Sequence, residues 1–241
     1  MCRSVCDGVK YQGISISTVS GKYGVWQMKS RLIVIALTSS LLASCSAAYF
    51  GALEKAGIHK RDVLVSRVED TQDSQQNAQV EFRDALEQFG SIVTLENTDL
   101  KQAYNRLNGE YEDSQSAAKK VTDRINSVES VADALFREWE TEIGQYTNAS
   151  LKASSKAQLR DTKIRYNDLL ATMRRAEQTM QPVLNTFRDN VLALKHSLNA
   201  QAIGSLRDEF TSLQNDIDLL IREMNRSIEE SDKFIAELRV S

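Results

Sequence analysis

Few residues of this chain have side chains that commonly act as nucleophiles or metal ligands: three cysteines and two histidines among 241 residues. Cys2 and Cys6 lie close together, but no cluster of further ligands accompanies them, so a metal or redox site is the less favoured interpretation. The sequence contains no glycine-rich phosphate loop, no nucleophile elbow and no His-Glu-x-x-His motif. We therefore expect a protein that is not an enzyme and that uses no cofactor and no metal.

Cys45 follows the only continuous apolar run of the chain, residues 32–37. Lys29 and Arg31 precede this run and small residues follow it, which is the order of regions in a secretory signal peptide. The run is too short to span a bilayer, because a spanning helix needs about 20 residues. The four residues Leu42-Ala43-Ser44-Cys45 resemble the lipobox of bacterial lipoproteins.

The lipobox resemblance implies that diacylglycerol is attached to the Cys45 thiol, that the chain is cut before Cys45, and that the new amino terminus is acylated. Several acyl chains anchor a protein firmly, since each buried CH₂ contributes about 0.8 kcal/mol. The alternative is an ordinary cysteine beside a secretory cleavage site. Lipidation is favoured because the chain after Cys45 has no second cysteine for a disulfide. Ser46, rather than aspartate, follows the cysteine and favours the outer membrane, with the protein on its periplasmic side.

Four segments follow from these signals. We interpret residues 1–27 as a non-native extension, because Met28-Lys29-Ser30-Arg31 begins as signal peptides do. Residues 28–44 are the predicted signal peptide, residues 45–58 the lipid-anchor and linker segment, and residues 59–241 a helical bundle domain.

The charge of the chain argues against two classes of partner. Removing residues 1–44 takes away five of the 30 basic and one of the 33 acidic residues, which leaves a net charge of −7. Nucleic acids and anionic lipid surfaces are usually bound through concentrated basic patches. We therefore expect no nucleic-acid partner, and membrane attachment through the lipid.

The apolar spacing after residue 60 alternates between three and four, the pattern of a coiled-coil seam. The first seam is Leu64, Val68, Thr71, Gln75, Ala78, Phe82, Ala85 and Phe89. The second is Leu100, Tyr104, Leu107, Tyr111, Ser114, Ala118, Val121, Ile125, Val128, Ala132, Leu135 and Trp139. The third is Leu159, Thr162, Tyr166, Leu169, Met173, Ala176, Met180, Val183, Phe187, Asn190 and Leu194. The fourth is Ile203, Leu206, Phe210, Leu213, Ile217, Leu220, Met224, Ser227, Ser231, Phe234 and Leu238.

These seams predict an all-α fold: an elongated antiparallel four-helix bundle resembling a coiled coil, with helices of about 30, 45, 45 and 40 residues. Pro182 lies inside the third seam and predicts a kink, because the seam continues in phase beyond it. Apolar residues beside the seams, among them Val131 and Leu219, predict that each helix contacts two neighbours. We expect breaks at residues 90–97, 146–150 and near Asn199, with Thr98 or Asp99 capping the second helix and Ser154 or Ser155 the third.

Two groups of residues are candidate contact sites. Lys55, His59, Lys60 and Arg61 form a candidate membrane-proximal contact with lipid headgroups or a protein. The favoured alternative is that these basic residues pair with glutamates at the same end of the bundle, namely Glu138, Glu140, Glu142, Glu229 and Glu230. Lys195, His196 and Asn199 form a candidate contact at the opposite, distal tip, about 50 Å away by the helical rise.

Four stretches carry a resemblance to a known family: Glu54–Asp62, Leu135–Trp139, Pro182–Leu184 and Leu194–Ala200. On these stretches the chain resembles, between about Tyr49 and Leu238, the proteobacterial "domain of unknown function 2959" proteins. The resemblance implies a helical protein of the cell envelope and supplies no catalytic residues. We expect a lipid-anchored scaffold or adaptor that binds an envelope protein. The alternatives are a self-associating bundle that contacts or shapes membranes, and a ligand-binding or enzymatic bundle that uses polar seam residues such as Ser114, Asn190, Ser227 and Ser231.

Overall fold

The computed structural model describes residues 59–94, 99–196 and 200–240. These ranges contain four α-helices and no β-strand: α1 is Lys60–Thr94, α2 is Leu100–Gln145, α3 is Ala149–His196 and α4 is Ala200–Val240. The helices have 35, 46, 48 and 41 residues, close to the predicted lengths. Each helix packs on the next, and α4 packs back on α1, so the helices form a ring of four. The predicted all-α antiparallel bundle is confirmed.

The predicted seams form the core of this bundle. All eight seam residues of α1 and all eleven of α3 are buried, including the polar Thr71, Gln75, Thr162 and Asn190. The seam of α2 is buried through its middle, and its half-buried members lie towards both ends: Leu100, Tyr104, Tyr111, Leu135 and Trp139. Of the two named apolar residues beside the seams, Val131 is buried, but Leu219 is 43% exposed, so the prediction was wrong for Leu219.

The helix ends follow local capping rules with two corrections. Asp99 caps α2 as predicted, accepting hydrogen bonds from the backbone N–H groups of Lys101 and Gln102. The cap of α3 is Asn148, whose side chain accepts from the N–H groups of Ser150 and Leu151, so the prediction of Ser154 or Ser155 was wrong. The helix starts earlier than the seam because a good cap residue, rather than the first apolar contact, fixes its first turn.

The second correction concerns Gly90, which we expected to begin a break after α1. It lies inside α1, which continues to Thr94. A Cβ added to Gly90 would lie 3.1 Å from the ring of Phe210, so glycine permits the close approach of α4 at this point. Pro182 likewise does not end its helix, because α3 continues in phase to His196. The angle of a bend there stays a prediction.

Two layers of the core have unlike chemistry. The Phe89 layer consists of Phe89, Phe187 and Phe210. The Phe89 ring packs edge-on against Phe187, with 6.2 Å between the ring centroids, and is stacked on Phe210, with 6.0 Å between the centroids. The Gln75 layer consists of Thr71, Gln75, Ser227 and Ser231, all fully buried. Gln75 Nε2 donates to Ser227 Oγ across the α1–α4 interface at 3.0 Å. One end of the core is therefore aromatic, and a middle layer is polar.

Candidate functional site at the open end of the bundle

The open end of the bundle is the end where α1 and α3 begin and where α2 and α4 finish. His59, Lys60 and Arg61 lie there, at the first turn of α1. The backbone N–H groups of Asp62 and Val63 bond to the carbonyl of His59 and so start the helix. Cys45 and Lys55, two further residues of the predicted contacts, lie outside the described residues.

The basic residues of the open end meet acidic and aromatic side chains of α2. Lys60 Nζ lies 2.9 Å from Glu138 Oε1, which confirms this predicted ion pair. The Arg61 guanidinium lies over the Trp139 ring, 5.9 Å from its centroid, a cation–π geometry. Two other glutamates have different partners from those predicted, since Glu140 pairs with Lys163 and Glu230 with Lys233. The basic cluster is thus joined to α2 through one ion pair and one ring.

An open groove of about 700 Å³ lies between the start of α1 and the ends of α2 and α4. Its lining mixes charges of both signs with a small apolar floor, and consists of His59, Lys60, Arg61, Asp62, Val65, Leu135, Glu138, Glu142, Leu238 and Arg239. A second open groove of about 430 Å³ shares Arg61, Leu135, Glu138 and Glu142 with the first and extends to Trp139, Tyr146 and Leu151. These grooves can accept a polar or amphipathic surface, because both signs of charge and some apolar area are exposed in them.

Trp139 joins α2 to α3 at this end. Its indole Nε1–H donates to the hydroxyl of Ser155 at 2.9 Å, and Ser155 is itself buried. We predicted that Trp139 packs in the core, and it is half-buried with one specific hydrogen bond. This partner could not be predicted from the residues near Trp139, because Ser155 lies sixteen residues away on the next helix.

The hairpin formed by α2 and α3 extends beyond the other two helices. Since Lys60 at the start of α1 pairs with Glu138, the last seven residues of α2 lie past that level, which is about 10 Å of helix. On the other side Arg165 pairs with Glu237, three residues before α4 ends at Val240, so the first turns of α3 extend past α4. We call residues 143–156 the hairpin tip.

The hairpin tip exposes two large apolar side chains on a locally basic segment. Tyr146 is 43% and Leu151 is 56% exposed. The tip contains Lys152 and Lys156, and residues 143–160 contain no aspartate or glutamate. The nearest glutamates of α2 lie below the tip, and two of them are paired, Glu138 with Lys60 and Glu140 with Lys163. Beyond Glu142 the charge of the hairpin is positive.

The distal tip carries the other predicted contact residues. Lys195 and His196 are exposed in the last turn of α3, and Asn199 lies outside the described residues. Arg207 of α4 donates a hydrogen bond of 2.8 Å to the carbonyl of Val93, near the end of α1. His59 and His196 are at opposite ends of the bundle, so the structure does not bring the two histidines together.

Two ionisable groups with shifted pKa values, Tyr166 and Arg174, lie between the two ends and have structural partners. Burial raises the pKa of the Tyr166 phenol, and the nearby Glu129 and Asp133 raise it further. The Tyr166 ring packs edge-on against Phe136 at 5.3 Å, and Arg174 forms ion pairs with Glu129 and Glu177. Burial lowers the pKa of Arg174, but its hydrogen bonds to Glu177 and Glu129 outweigh this and raise it overall. A neutral tyrosine and a paired arginine hold α2 and α3 together.

Three of the four polar seam residues named above make hydrogen bonds within the bundle, whereas the buried hydroxyl of Ser114 has no hydrogen-bond partner among the described residues. Asn190 donates to the carbonyl of Thr186, Ser231 donates to that of Ser227, and Ser227 accepts from Gln75. Within the described ranges, no group of three or more histidine, cysteine, aspartate or glutamate residues is arranged to hold a metal ion. Among the helices of those same ranges, none is both long and apolar enough to cross a membrane.

Comparison with known proteins places this bundle in a family. Residues 49–238 match the family described as "Protein of unknown function (DUF2959)". The chain belongs to the DUF2959 family. The match covers the hairpin tip, the four helices up to Leu238 and the lining of both grooves except Arg239. No curated protein and no solved structure matches the chain.

Proposed function

We propose that this protein is a lipid-anchored, non-catalytic scaffold or adaptor of the bacterial cell envelope. Cys45 carries the lipid, the protein lies on the periplasmic side of the outer membrane, and the bundle presents contact surfaces to an envelope protein. The proposal rests on the signal-peptide and lipobox pattern before residue 46 and on the length and topology of the bundle.

The observation that carries the proposal is that the chain enters the bundle at the open end. Thirteen residues lie between Cys45 and His59, and a fully extended chain over these 14 residue steps reaches at most about 50 Å. From there α1 runs for 35 residues, about 50 Å, to the opposite end. An anchor at Cys45 therefore keeps the open end within reach of the membrane surface and leaves Lys195 and His196 free to meet a partner farther away.

Metabolic labelling with a radioactive fatty acid tests the anchor. We expect label on the wild-type protein and its loss from Cys45→Ser. Ser46→Ala is the matched control, because it changes the neighbouring residue but keeps Cys45 and the lipobox. Label that persists in Cys45→Ser would contradict the proposal.

In-cell cross-linking followed by mass spectrometry tests the adaptor role. A photo-cross-linking amino acid is placed at His196 of the distal tip and, as a comparison, at Glu142 of the open end. We expect a defined envelope protein to be captured from His196 in the anchored protein but not in Cys45→Ser. Cross-links only between copies of this chain would instead support a self-associating bundle. An unchanged pattern in Cys45→Ser would show that lipidation does not organise the contacts.

A further inference from the structure

The hairpin tip differs from the rest of the surface in two respects that point to the same ligand. Its two exposed apolar residues, Tyr146 and Leu151, lie on either side of one turn. The residues between them are small and uncharged: Thr147 and Asn148 in the turn, and Ala149 and Ser150 at the start of α3. Such a turn places no charge between the two apolar residues. Single exposed apolar residues elsewhere, such as Val80 and Leu219, have no such neighbour within the same turn and need no explanation.

The charge of the tip is opposite to that of the chain as a whole. Residues 143–160 include Lys152, Lys156 and Arg160 and no acidic residue, whereas the chain after residue 44 has a net charge of −7. Arg160 pairs with Asp161 at 2.9 Å, which leaves the charge of the two lysines at the outermost turns. Basic residues next to exposed tyrosine and leucine are typical of segments that meet an anionic lipid interface, where aromatic rings lie at headgroup level and lysines contact phosphate groups.

The position of the tip favours a lipid surface over another occupant. The tip is the part of the described structure that extends farthest past α1 and α4 at the open end. His59, the described residue nearest to Cys45 along the chain, lies at this same end. A chain from Cys45 to His59 reaches at most about 50 Å, so the proposed anchor keeps this end of the bundle, and with it the tip, within reach of the bilayer.

We propose that the hairpin tip is a second membrane contact, in which Tyr146 and Leu151 enter the headgroup region of an anionic bilayer and Lys152 and Lys156 bind lipid phosphates. This inference rests on the proposed lipid anchor, which holds the tip at the surface. Two contacts at one end, the lipid and the tip, orient the bundle with the distal tip away from the membrane. A single lipid would let the bundle lie along the surface.

The test uses the full lipidated protein, which begins at Cys45, in vesicles of phosphatidylethanolamine and phosphatidylglycerol. No other cysteine follows Cys45, whose thiol carries the lipid, so an introduced cysteine is the thiol that the dye labels. An environment-sensitive dye is attached at Leu151→Cys and, as the matched control, at Leu192→Cys. Both leucines are exposed residues of α3, but Leu192 lies near the distal tip. We expect the dye at position 151 to shift to shorter wavelength and to be quenched by brominated lipids, and the dye at position 192 to do neither.

A second variant tests whether the charges of Lys152 and Lys156 are needed for the insertion of position 151 into the bilayer. Lys152→Gln with Lys156→Gln should reduce the quenching at position 151 several-fold, and vesicles without phosphatidylglycerol should do the same. Flotation of the protein with the vesicles is measured in parallel and reports the anchor. Protein that floats but has a water-exposed dye at position 151 would overturn the tip contact alone, whereas protein that does not float would overturn the proposed anchor and the tip contact with it.

Two further outcomes also count against the inference. A blue shift at position 151 without quenching by brominated lipids would mean burial against a protein. Equal quenching at positions 151 and 192 would mean that the bundle lies flat on the membrane.

Discussion

The Phe89 layer and the Gln75 layer both fill the interior of the bundle, the first with aromatic rings and the second with polar side chains. Both connect α1 to α4; the Gln75 layer is fully buried, as are Phe89 and Phe187, whereas Phe210 is half-buried. The Phe89 layer fills the space with three rings and requires a glycine, Gly90, to admit Phe210. The Gln75 layer uses an amide and hydroxyls, and the Gln75 Oε1 atom has no hydrogen-bond partner. We therefore expect the aromatic layer to stabilise the fold, and the polar layer to stabilise it less, because a buried oxygen without a hydrogen bond costs free energy.

The difference shows what a polar layer can do inside a long bundle. Apolar seams that repeat every seven residues can slide by one repeat and still bury apolar groups. A hydrogen bond between Gln75 and Ser227 is made in one register only, as are those from Gln72 to Asp232 and from Gln79 to Asn225. These contacts all join α1 to α4, the first and last helices of the ring. We infer that they fix the alignment of these two helices.

The largest effect is expected in the Phe89 layer. Phe187 is fully buried and packs edge-on against Phe89. Phe187→Ala should lower the free energy of unfolding by about 3–5 kcal/mol, because it removes ring contacts and leaves a cavity. Chemical denaturation measures this change. Leu192→Ala in the same helix is the control and should change stability by no more than about 0.5 kcal/mol, since Leu192 is 43% exposed. A loss below about 1 kcal/mol for Phe187→Ala would mean that the neighbouring side chains repack and fill the cavity.

A smaller change in the free energy of unfolding is expected in the Gln75 layer, where one substitution should destabilise the fold and a second should reverse the loss. Ser227→Ala alone should lower the free energy of unfolding by about 1–3 kcal/mol, because the Gln75 amide loses its buried acceptor. Adding Gln75→Leu should restore the wild-type value or exceed it by about 1 kcal/mol, because no buried polar group of this pair is then unpaired. Urea denaturation of the wild type, both single variants and the double variant gives the coupling energy. Additive effects would show that the two side chains do not act as a pair.

The smallest effect is expected on the surface of the same half as the Phe89 layer, and it depends on pH. Partial burial raises the pKa of Glu110, and Asp113, Asp84 and Glu81 raise it further. A carboxyl whose pKa is higher in the folded state stabilises the fold below its unfolded pKa, and this contribution is lost as the pH rises through the folded pKa. Glu110→Gln should therefore be more stable than the wild type at neutral pH, and the difference should vanish below pH 4.5, the ordinary value of glutamate.

Thermal denaturation across that pH range measures the Glu110 effect. Glu112→Gln, which removes an exposed carboxylate from the same helix, is the control for the loss of one charge. A stability difference for Glu110→Gln that is constant with pH would rule out repulsion among the four carboxylates as its cause.

Much of the fold could be predicted from the sequence, because helix periodicity, helix caps and turn residues act over a few residues. The seams of α1 and α3 and the Asp99 cap are examples. The Asn148 cap was missed because several polar residues near it can cap a helix, and local sequence does not rank them. The grooves, the partner of Trp139 and the projection of the hairpin tip could not be predicted, since they depend on how far one helix is shifted along another.

The sequence by itself therefore determined the four helices, their buried faces and the order in which they alternate in direction. Only the tertiary structure decided the stagger of the helices, which leaves Tyr146 and Leu151 projecting past α1 and α4 and brings Arg61 over Trp139. The physical reason is the range of the interactions. A seam is a property of residues three and four apart, whereas the stagger is set by contacts such as those of Lys60 with Glu138 and Gln75 with Ser227, whose partners lie 78 and 152 residues apart in the chain.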